Sequence, residues 1–165
     1  MSVLNDYTAE ESRLLMEGPR LGAVVVSAAS PGRAAETASE GFAAVQYAMS
    51  NRGDFLDNTL IGSIQFELDQ LVKSDRKFAD YNKLATAPGA KDAALARLGQ
   101  LADLLDCKST PTEAAGYKKW VINAATLASE AGREGGNFLG WGAIMVSDEE
   151  RAALADVSTA LRVQS

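Results

Sequence analysis

The chain has 165 residues, 47% of them hydrophobic and 23% charged, with 16 basic and 22 acidic side chains and a net charge of −6. That is an ordinary globular composition, which excludes the disordered class and, with no basic cluster, argues against nucleic acid or an anionic membrane as the main partner. Histidine is absent, which removes Ser–His and Cys–His nucleophiles, the usual zinc sites, histidine-held haem and the Glu-x-x-His pairs of di-iron bundles.

Elements follow in chain order. Thr8 to Glu11, "TAEE", is a capping box, so a short helix should start there and run to about Glu17. Gly18-Pro19 is expected to break it, with Pro19 opening a second helix that carries the uncharged run from Leu21 to Gly32. Three successive valines also fit a strand; a helix is preferred because no strand partner is visible. After a Pro31-Gly32 turn, Ala35, Ala38, Phe42, Val45 and Met49 mark the inward face of an amphipathic helix that Gly53 should end. The next helix spans about Phe55 to Lys73, with Leu60 or Ile61, Ile64, Leu68 and Leu71 inward. The polar stretch through Pro88-Gly89 reads as a frayed end and a loop.

Leu95, Leu98, Leu101 or Ala102, and Leu105 define a helix ending near Lys108. Thr110, Pro111 and Glu113 make a second capping box. The helix behind it carries Ala114, Tyr117, Val121, Ala124, Leu127 or Ala128, and Ala131, mostly small, so close contact between helices should follow. Trp120 falls at the edge of that face. Gly135-Gly136 should stop the helix, and Ser147 to Glu150 caps the last one, with Ala153, Leu154, Val157 and Leu161 inward. The expected fold is therefore all-α: a single-domain bundle of six to seven helices with short loops, covering 1–165.

Little reactive chemistry stands out. No catalytic residue and no cofactor can be assigned. Glu36 and Glu40 lie one turn apart and Glu67 borders an apolar stripe. They could hold a hard cation, or simply be solvated carboxylates. Cys107 has no second cysteine to pair with, which favours a reducing compartment and an inert thiol. The glycine-rich stretch "GREGGNFLGWG" lacks both the Lys-Ser/Thr of a phosphate loop and a preceding strand. It could fold inward, with Phe138, Leu139, Ile144 and Val146 stapling the last helix to the bundle. Alternatively, Phe138, Leu139 and Trp141 could face out as an apolar patch that binds a partner or a second copy of the chain. The N-terminal stretch has no basic region followed by an apolar run, and the longest apolar block, Leu21 to Ala29, is too short to span a bilayer. A cytoplasmic protein with no membrane insertion is expected.

The C-terminal third resembles the tail of a family of small bacterial all-helical proteins of unknown function. The matching positions include Glu113, Ala114, Trp120, Ala124, Gly135-Gly136 and Phe138-Leu139-Gly140. More weakly, "GAVVVSAASPGRAAETASEGFAAV" looks like the first helix pair of TerB-like tellurite-resistance proteins. That resemblance implies a small-ligand or metal-binding role in stress response. Where those proteins carry an acidic residue this chain has Ser30-Pro31-Gly32, so no functional residue is carried over. The lack of catalytic side chains and the glycine-aromatic loop together lead us to expect a non-enzymatic helical module that works by binding protein, as an adaptor or assembly subunit of a bacterial cytoplasm.

Overall fold

A computed structural model of the chain describes residues 2–29, 34–50, 55, 57–73, 81–134 and 147–163, with some helical residues described by their backbone alone. Among the described residues the fold is all-α, as expected, with no strand. A 3-10 turn, Leu4–Asp6, precedes α1 (Ala9–Ala29), α2 (Ala34–Ser50), α3 (Thr59–Lys73), α4 (Tyr81–Ala85), α5 (Ala90–Lys108), α6 (Pro111–Glu134) and α7 (Asp148–Ala160). No described helix is long and apolar enough to cross a membrane.

All three capping boxes form. The Thr8 amide donates to Glu11 at 2.8 Å, that of Thr110 to Glu113 at 3.2 Å, and that of Ser147 to Glu150 at 2.8 Å. Each hydroxyl accepts in return from the amide three residues on. A fourth cap was not read from the sequence. Asn58 accepts from the Ile61 amide at 3.2 Å and donates to the Glu113 carbonyl at 3.0 Å, so it caps α3 and ties it to α6.

Gly18-Pro19 does not break the first helix; α1 runs through it for 21 residues. Proline has no N–H, so the carbonyl of Leu15, four residues earlier, loses its helical donor. The hydroxyl of Tyr117 on α6 donates to that carbonyl instead. Gly18 leaves the space the hydroxyl occupies, since a Cβ there would overlap it. The helix survives because a distant side chain satisfies the group that proline orphans.

α1 is the centre of the bundle. Lys108 pairs with Glu11 and Arg97 with Glu17, so α5 lies antiparallel to α1. Gly18 faces Tyr117 and Val121 while Gly22 faces Val121 and Ala125, so α6 runs in the same direction as α1, at close range. Leu15, Val25, Ile64, Leu98, Tyr117 and Trp120 are among the fully buried core side chains. Trp120 is thus central, not at an edge, and its ring meets that of Tyr117 edge-on at 5.4 Å. Its indole N–H is buried without an acceptor among the described residues. An unmet buried donor costs about 1–3 kcal/mol, similar to the apolar area lost on shrinking the ring. Trp120→Phe should therefore change stability in urea by less than about 1 kcal/mol.

Two further expectations need correcting. Phe42 does not face inward; it is 69% exposed. α2 is rolled so that Glu40, Gly41, Ala44, Tyr47 and Ala48 face the bundle. Small residues let α2 approach α6 closely, where Tyr47 accepts from Asn123 at 3.0 Å; a phenylalanine in that seam would hold the helices apart. Part of the expected loop before Pro88-Gly89 is instead the short helix α4. The inward residues named for α5 and α7 are buried or packed against the core, as are Leu60, Ile61, Ile64 and Leu68 of α3, while Leu71 is only half-buried. On α6 the buried member of the Leu127 or Ala128 pair is Ala128, and Leu127 is exposed.

Candidate functional site

Of the residues singled out by sequence, Phe138, Leu139 and Trp141 lie outside the described residues, as does the Glu36 side chain. Glu40 is buried on α2 and accepts from the Ser27 hydroxyl of α1. Glu67 stands exposed on α3. The structure does not bring these two together, and no group of three His, Cys, Asp or Glu suited to a metal occurs among the described residues. Cys107 is exposed in the last turn of α5.

The candidate site is a cleft of about 500 Å³ between α1, the Leu84–Pro88 stretch and α5. That volume falls within the ordinary range for ligand pockets. Its floor is apolar: Leu21 and Val24 from α1, Ala94 from α5, with Leu84 at the rim. Three arginines line it, two on α1 (Arg13, Arg20) and one on α5 (Arg97), with Glu17 the only carboxylate among the described lining residues.

Local structure explains the arrangement. Arg13, Glu17, Arg20, Leu21 and Val24 recur at three- and four-residue spacing, so they share one face of α1. Antiparallel packing of α5 then brings Arg97 across from Glu17. The Glu17 carboxylate meets Arg97 at 2.7 Å and Arg20 at 3.8 Å. Arg13, one turn before Glu17, makes no hydrogen bond or ion pair among the described residues. Among the described lining residues, three guanidiniums against one carboxylate leave two positive charges in surplus, in a protein whose net charge is −6.

Among the described residues this cleft holds no nucleophile, thiol or hydroxyl. It can bind and orient an anion, because guanidinium presents a planar fork that matches carboxylate or phosphate. Sequence reasoning missed it. The signal was the Arg13–Glu17–Arg20 spacing beside Leu21 and Val24 on one helical face; Arg97 could be added only by knowing which helix packs opposite.

No protein-family model matches the chain, and no curated protein or solved structure matches it.

Proposed function

We propose that the protein is a non-enzymatic binding module of a bacterial cytoplasm, and that the cleft between α1 and α5 captures an acidic segment of a protein partner. One observation carries the reading: three arginines converge over an apolar floor with a single glutamate among them. Two surplus charges suit two carboxylates, and the floor suits a leucine-sized side chain between them. A short segment fits better than a nucleic acid, because the net −6 of the whole chain repels a long polyanion while the cleft attracts locally. The bacterial and cytoplasmic parts draw on the resemblance of the C-terminal third and on the unpaired Cys107.

The test is fluorescence anisotropy with a labelled peptide carrying two glutamates around leucines, and with its lysine-for-glutamate counterpart. The acidic peptide should bind and the basic one should not. Arg13→Glu, a change at an exposed residue, should weaken binding about tenfold or more, since a charge-assisted contact contributes about 1.5–3 kcal/mol. Equal binding of the two peptides, or an Arg13→Glu protein that binds as before, would remove the reading.

A second reading is a TerB-like small-ligand or metal-binding protein, and the buried Glu40 favours it. It has less support, because Glu67 is exposed on another helix. A rise in melting temperature with divalent cations, abolished by Glu40→Gln, would bring it forward.

A further inference from the structure

A second cleft, of about 580 Å³, lies between the C-terminal end of α5, the first half of α6 and the chain after α7. It lies away from the arginine cleft and shares none of its lining residues. Ala114, Ala115, Ile122 and Val163 give it apolar walls, and Lys118, Lys119 and Arg162 bring three cations to it.

These cations are not equivalent. Lys118 is almost fully buried, and its ammonium meets Asp106 at 2.7 Å. Arg162 reaches both Asp103 and Asp106, the latter at 3.2 Å. Lys119 is exposed and makes no hydrogen bond or ion pair among the described residues. Among the described residues, two carboxylates therefore balance two of the cations and leave one positive charge. The hydrogen bond from Lys118 draws the Asp106 carboxyl below its usual range, so this balance holds at neutral pH. The amides of Thr110 and Glu113 are engaged in their own capping box, and Lys119 is the cation of this cleft that has no ion-pair partner among the described residues.

The backbone supports the same site. Arg162 has φ 56°, in the left-handed region where glycine normally closes a helix. Its amide bonds to Thr159 at 3.0 Å and that of Val163 to Ser158 at 2.9 Å, the Schellman pattern. A non-glycine residue pays about 1–2 kcal/mol to sit there. Arginine instead of glycine is explained by the guanidinium it projects onto Asp103 and Asp106 beside the cleft.

We infer that this cleft binds a small organic monoanion, a carboxylate with an apolar body, with its head on Lys119 and its body against Ile122 and Val163. One spare charge matches one carboxylate. A dianionic phosphate ester would have to displace Asp106 from Lys118 to balance its second charge.

Octanoate tests this, with octylammonium and octyl phosphate as controls, by calorimetry and by the methyl NMR signals of Ile122 and Val163. Octanoate should bind and shift both methyl sets; octylammonium should do neither. Lys119→Ala should weaken octanoate about tenfold, and Lys119→Glu should abolish it. Both changes are at an exposed side chain, so the fold should be retained. Arg13→Glu should leave octanoate binding unchanged, which separates failure here from failure of the acidic-segment reading. Octanoate binding that survives Lys119→Glu, equal shifts from octylammonium, or octyl phosphate binding ten times tighter would each overturn the assignment.

Discussion

Replacing Gly18 with alanine is expected to destabilise the protein by about 3–5 kcal/mol and to lower its melting temperature by roughly 10 °C or more. On an exposed helix the same change would stabilise by about 1 kcal/mol, because alanine is the better helix former. Here the added methyl would overlap the Tyr117 hydroxyl and stand 3.1 Å from Val121 and 3.2 Å from Leu101. Tyr117 is fully buried and edge-on to Trp120, so its ring has nowhere to retreat. If the hydroxyl is pushed away, the Leu15 carbonyl loses its donor, and two buried polar groups are left unmet.

Tyr117→Phe provides the control. It removes the hydroxyl and orphans the Leu15 carbonyl, at about 1–3 kcal/mol, and it clears the space a Cβ at Gly18 would need. The double variant should therefore be more stable than the sum of the two single losses, by about 1–2 kcal/mol in a double-mutant cycle. Thermal melts followed by circular dichroism give all four values. A Gly18→Ala protein melting within 3 °C (about 1 kcal/mol) of the parent would show that the hydroxyl does not fill that space.

The same triad shows which parts of the fold sequence could reveal. Capping boxes were legible because their chemistry closes within three residues: Thr8 to Glu11, Thr110 to Glu113 and Ser147 to Glu150. The apolar stripes of α3, α5, α6 and α7 were legible because helical periodicity is local too. Pro19 misled because its compensation comes from Tyr117, 102 residues beyond Leu15. Phe42 misled because the roll of α2 is set by the helix it packs on, and small residues such as Gly41 and Ala44 outweigh a phenylalanine where close approach is needed. The arginine cleft was half legible. Arg13, Glu17 and Arg20 share a face by spacing alone, but Arg97 is 80 residues from Glu17 and joins them only through antiparallel packing.

The second large effect is expected at Glu113, and it should depend on pH. Sequence showed this residue only as part of a capping box; the structure makes it a junction. Its carboxylate accepts from the Ser2 amide at 2.6 Å, the Ser2 hydroxyl at 3.2 Å, and the Thr110 hydroxyl at 2.8 Å. One buried charge thus holds the N-terminal stretch against the start of α6. Burial works to raise the carboxyl, but the Ser2 and Thr110 hydrogen bonds overcome it and hold the group at about 2, against an ordinary 4.5. The folded carboxyl is therefore the weaker proton binder. The stabilisation it gives is complete above pH 4.5 and disappears as the pH falls toward 2. Glu113→Gln should cost about 3 kcal/mol at pH 7, about 1 kcal/mol at pH 3, and almost nothing by pH 2. Urea titrations of both proteins across that range would show the two stability curves converging on the acid side. A gap as wide at pH 3 as at pH 7 would mean that the amide serves the same donors as well as the carboxylate does, and that the charge is not what holds Ser2 to α6.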